Sequence, residues 1–179
     1  MSEFSESFHL KTLDQTKAVT LLRDSEMTGY VYGEKQGWVT FVVDYRGANV
    51  DEIISELNPG ILVHYVYLED HMWTLKIYNK DELVFDYEAD WAGEDLVIEK
   101  KLFDLEFLEE LVLQQGNSIV GLEQIFDFKD SKINFENQPA YLIAQRMGLT
   151  NYEWVSSDIL SEFDHNQLEE MEIIFVESE

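Results

Sequence analysis

Residues 61–91 constrain the fold more than any other part of the chain. They hold three strand-like runs, 61–68, 71–78 and 83–91, separated only by Glu69-Asp70 and by Asn79-Lys80-Asp81-Glu82. Each run is rich in β-branched and aromatic residues and each separator is short and polar, so consecutive antiparallel hairpins are expected. A two-residue turn would pair Leu68 with His71. Leu62, His64 and Val66 would then share a face with Trp73, Leu75 and Ile77, and a three-residue loop would continue that face through Leu83, Phe85, Tyr87 and Trp91. Side chains alternate along a strand, so a one-residue slip turns a whole apolar row to water. The opposite face would carry Val63, Tyr65, Tyr67, Met72, Lys76, Tyr78, Asp86, Glu88 and Asp90. Tyrosines beside carboxylates suit a partly covered sheet face or a contact surface.

The rest of the chain reads as α+β in a single domain spanning residues 1–179. Strand patterns dominate to about residue 100 and helical ones follow, so a mainly antiparallel sheet packed with C-terminal helices is expected. Residues 8–13 alternate as an opening strand, and Asp14 can cap a helix carrying Ala18, Val19 and Leu22. Residues 30–32 and 38–45 form a second hairpin around Lys35-Gln36-Gly37. Asn49 precedes Val50, Ile53, Ile54 and Leu57 at helical spacing, and Asn58-Pro59-Gly60 stops that helix. Leu105, Leu108 and Val112 mark a helix over 104–115, Ile119, Leu122 and Phe126 a shorter one, and Pro139 opens another that ends at Gly148. Residues 171–176 suit either a last strand or a helix end.

Charge narrows the function classes. Thirty-seven Asp and Glu face twelve Lys and Arg, a net −25, which repels phosphate backbones and anionic lipid surfaces. Neither nucleic acid nor membrane is an expected partner; a basic protein is. Beyond Arg146, 33 residues carry nine acids and no Lys or Arg, interleaved with enough apolar residues to pack. The chain has no cysteine, so disulfides, thiolate metal sites and a cysteine nucleophile are excluded. Met1 to Phe8 holds acids where a signal peptide carries basic residues, and a cytoplasmic location is expected.

Motifs for chemistry are sparse. There is no phosphate-binding glycine loop and no G-x-S-x-G elbow, and Ser156-Ser157-Asp158 reads as a helix cap. The best metal candidate is His64, Glu69, Asp70 and His71, because imidazole and carboxylate can ligate zinc and the turn brings its flanks together. No fixed ligand spacing supports it, and no cofactor is implied. The leading expectation is a non-catalytic binding or inhibitor protein, immunity-like or an adaptor, recognising a basic partner. Its expected contact residues are Tyr65, Tyr67, Tyr78, Asp86, Glu88 and Asp90. The alternative is a small ligand- or metal-binding hydrolase using the His64/Glu69/Asp70/His71 region.

Overall fold

A computed structural model describes residues 1–129 and 138–179, and in it the three runs form three adjacent strands of an eight-stranded antiparallel sheet. The strands are β1 (Phe4–Lys11), β2 (Gly29–Val31), β3 (Trp38–Val43), β4 (Ile61–Leu68), β5 (Met72–Asn79), β6 (Glu82–Asp90), β7 (Val97–Phe103) and β8 (Ile174–Val176). Their order across the sheet is β7-β6-β5-β4-β1-β3-β2-β8, with every neighbouring pair antiparallel. The fold is α+β, as the sequence pattern implies.

Helices cover the two faces unequally. On the first face lie α3 (Leu105–Gln114), α4 (Leu122–Phe126) and α5 (Pro139–Met147), packed on Trp73, Leu75, Ile77, Phe85 and Tyr87, which are all essentially inaccessible. Trp73 stacks on Phe126, and Tyr87 Oη donates to the Phe126 carbonyl at 2.7 Å. Asp104 caps α3 by accepting from Phe107 N–H, and α5 has Pro139 in its first turn with Gly148 at φ +79° closing it. Only a residue without Cβ takes that conformation freely. Past α5, α6 (Ser157–Leu160) and α7 (His165–Glu170) extend this layer over β2 and β3, burying Leu160 and Leu168 against Tyr30 and Val42. On the second face, α1 (Gln15–Asp24) and α2 (Val50–Ser55) bury Ala18, Leu22 and Ile54 against Phe8, Leu10, Phe41 and Leu62. Asp14 caps α1 as expected, whereas Asn49 is left-handed at φ +62° and its side chain makes no capping bond.

The structure corrects the register of the 61–91 meander. Leu68 pairs with Met72, not His71, because the turn holds three residues, with His71 N–H donating to the Leu68 carbonyl at 2.9 Å. Val63, Tyr65 and Tyr67 therefore join Ile77, Leu75 and Trp73 on the buried face, and Leu62, His64 and Val66 lie on the other. This slip buries two tyrosines among aromatic neighbours and leaves the smaller Val66 partly exposed. Leu83 also changes face. It pairs with Tyr78, and a bulge at Val84 then restores Phe85 and Tyr87 to the helix-covered side.

Three further strands complete the sheet beyond what the sequence pattern fixes. β7 has a mostly exposed, charged sequence without an apolar alternation, and it forms because β6 offers an edge to pair with. Residues 174–176 resolve into the edge strand β8, paired to β2. The first strand begins at Phe4 rather than Phe8 and fills the gap between β3 and β4.

Candidate partner-binding face

The second face is only half covered. Reading across the strands, one row runs Phe4–Leu68–Met72–Asp90–Val97 and the next Glu6–Val66–Thr74–Glu88–Glu99. Helices α1 and α2 pack over the far half of this face, on β1 to β5, and neither reaches these two rows. Phe4, Val97 and neighbouring Leu102 are 49%, 52% and 45% exposed, so the strip is open to solvent and not filled from within. Five adjacent strands at a spacing of about 4.8 Å give it a width of about 19 Å, the scale of a small protein contact.

Its electrostatics are one-sided. Asp86, Glu88 and Asp90 occupy alternate positions of β6, so all three point from the same face about 6.8 Å apart. Glu6 and Glu99 extend the carboxylates across the row of Glu88. Two cations stand nearby. Lys76 donates to Asp51 at 2.9 Å, while Lys101, in the β7 bulge, sits 3.9 Å from Glu88 and 3.6 Å from Glu99. Lys76 is thus committed to α2. Burial opposes the charge of Asp51, but hydrogen bonds from Tyr78 (2.6 Å) and Lys76 outweigh it and hold the carboxyl below its ordinary range.

The residues expected from sequence separate into two groups. Glu88 and Asp90 lie in the open strip, and Asp86 borders it in the next row, between Lys76 and the exposed Leu102. Tyr65 and Tyr67 lie on the opposite face under α5, 0% and 4% exposed, beside Tyr141 and Tyr152. Tyr78 is on the same face as the carboxylates but is buried beneath α2. The expected metal group also disperses. His64 stacks on Phe8 at 4.3 Å with Nε2 3.0 Å from Glu6 Oε1. Glu69 accepts from the Glu3 amide at 2.8 Å, Asp70 accepts from Ser2, and His71 is an exposed turn residue. No three His, Asp or Glu side chains converge on a common point among the described residues.

Sequence reasoning placed Met72 beside the acidic row, as the structure does, but missed Phe4, Glu6, Val66 and Leu68 as its surface neighbours. Starting the first strand at Phe4 would have exposed the signal, since Phe4, Glu6, Phe8 and Leu10 alternate with Ser5, Ser7 and His9. That second set is wholly buried. His9 is bracketed by Ser7 Oγ and Thr40 Oγ1, each at 2.9 Å, and burial, with His64 nearby, pushes its pKa down to about 3. Ser5 donates to Glu3 at 2.6 Å, and Glu3 also accepts from Trp154 N–H (2.9 Å) and Tyr141. Ser156 caps α6, its side chain accepting from Ile159 N–H, as its sequence context implies.

These features define an antiparallel α+β protein with one sheet face closed by helices and a solvent-open acidic strip on the other. Comparison with protein-family models, with curated proteins and with solved structures returns no match.

Proposed function

We propose that the protein is a non-catalytic binding or inhibitor protein that captures a basic protein on the open strip of β1 and β4–β7. The observation that carries this reading is the pair of helix-free rows in which Glu6, Glu88, Asp90 and Glu99 intermingle with Phe4, Val66, Leu68, Met72 and Val97. Carboxylates around such a patch steer a cationic partner and set its register, while the apolar side chains give up water on contact and lengthen residence. An immunity-type protein neutralising a basic nuclease uses this physics, as does an adaptor. The net −25 disfavours nucleic acid as the ligand. Among the described residues no helix is long and apolar enough to cross a membrane, and the absence of cysteine suits a reducing cytoplasm.

The test is a comparative capture from extract of the native cell, with wild-type protein and the D86N/E88Q/D90N variant immobilised in parallel. The expected result is one basic protein retained by the wild type, whose association slows about tenfold with the variant. Met72→Ala should instead accelerate its dissociation, because burial governs residence. Equal association with both proteins, or no enriched protein at all, would overturn the reading.

A further inference from the structure

The two edges of the sheet are built differently. β7 carries Glu99, Lys100 and Lys101 together with a register shift opposite Asp86 and Tyr87, and a charged, bulged edge resists the addition of another strand. At the other end β8 has no Lys, no Pro and no register shift, and it exposes Ile174 and Phe175 by 38% and 45%. The hydrogen bonds beside β2 tell which of its backbone groups are free. Tyr32 N–H donates to the Thr40 carbonyl and Asp44 N–H to the Thr28 carbonyl, both at 2.8 Å, so even-numbered residues here face β3. Bonding directions alternate in an antiparallel strand, so Gly29 and Val31 face β8 and engage Val176 and Ile174. The N–H and C=O of Phe175 therefore turn away from the sheet, and no backbone group among the described residues meets them.

A cleft of about 570 Å³ opens where this edge meets the turn before it, lined by Ile174, Gly33, Leu13, Glu34, Glu169 and Glu172. Its base is fixed by Gln15, whose amide donates to the carbonyls of Val31 (3.1 Å) and Glu172 (3.0 Å). A chain laid beside β8 runs past Ile174 into three carboxylates, two of which, Glu169 and Glu172, belong to a segment of the sequence with no Lys or Arg.

We infer that β8 accepts an extended basic segment of another protein, which adds as a ninth strand through the Phe175 backbone and places a Lys or Arg side chain in the Glu34/Glu169/Glu172 cleft. Main-chain bonds supply affinity in strand addition and alternate side chains supply selectivity. A second copy of this chain is disfavoured as the occupant because each copy carries a net −25. This surface is separate from the open strip, and it stands or falls without it.

The probe is a fluorescently labelled peptide of alternating Lys and Val, with binding read by anisotropy and the contact by amide hydrogen exchange. Binding with slowed exchange at Phe175 is expected, and F175P should weaken it about tenfold, since proline removes the outward N–H and leaves the Ile174 and Val176 bonds to β2. E169Q/E172Q should weaken it about fivefold, and more at low salt. D86N/E88Q/D90N should leave it unchanged, which separates this site from the open strip. A Lys-Val peptide N-methylated at every backbone nitrogen keeps its charge and loses the ladder donors of both edges, so it tests the same point should F175P fail to fold. Equal affinity for the methylated peptide, unaltered exchange at Phe175, or no binding of the probe would each overturn the inference.

Discussion

At the scale of single residues, His9 links the fold to pH. It is fully buried between Ser7 and Thr40, and its pKa falls from 6.5 to about 3 in the folded protein, chiefly through burial. Between those values the unfolded chain binds a proton that the folded chain does not. The contribution of His9 is therefore intact above pH 6.5 and is lost as pH falls toward 3, at up to about 1.4 kcal/mol per pH unit. His9→Asn should be less stable than wild type at neutral pH, yet its stability should fall less steeply between pH 6 and 4. Denaturant titrations across that window would show this, and parallel slopes would mean that His9 titrates normally. Leu75, inaccessible at the centre of the helix-covered face, gives a simpler expectation. Leu75→Ala removes packing on every side and should cost about 2–5 kcal/mol in unfolding free energy. A loss below about 1 kcal/mol would contradict its burial.

At the scale of elements, β4 is the informative strand because its two faces meet different surroundings. Tyr67 is buried beneath α5 beside Tyr141, while its neighbour Val66 looks onto the open strip. Tyr67→Ala should therefore destabilise the protein by about 3–5 kcal/mol, and Val66→Ala by about 1 kcal/mol or less. The reverse order in chemical unfolding would restore the two-residue turn in which Leu68 meets His71. β1 shows why a polar-looking strand can be central: Ser5, Ser7 and His9 are tolerated inside because each has a hydrogen-bonding partner. The short β8 is held from one side by β2 and by Ser178, whose amide donates to Thr28 Oγ1 at 3.0 Å.

At the scale of the whole molecule, the net −25 acts on folding and on association with opposite signs. Self-repulsion weakens the compact state, so screening strengthens it. Raising salt from about 0.1 M to about 1 M shortens the Debye length from about 10 Å to about 3 Å and should raise the thermal midpoint by a few degrees. Over the same range, association with a basic partner should slow. Calorimetry and binding kinetics on one protein stock measure both effects, and a midpoint that falls with salt would show that specific ion pairs outweigh the general repulsion.

Much of this architecture is written locally. The three strands of 61–91, Asp14 and Asp104 before helical spacing, Pro139 opening a helix and Gly148 closing it each follow from a few residues, although the facing of 61–68 does not. Within the expected contact surface, the carboxylates of β6 were legible because alternation on one strand fixes their common face. The tyrosines of β4 were not, because one added turn residue moved them across the sheet, and only the burial available beneath α5 decides between the two registers. The same holds for β7, whose charged sequence becomes a strand only beside β6, and for the placement of β1 between β3 and β4. Sequence by itself determined the α+β class, the limits of α3 and α5 to within a residue, and the acidity of the chain. Tertiary structure alone decided which strand faces the helices leave open and which edge stays unpaired, since both depend on bonds and contacts between residues far apart along the chain.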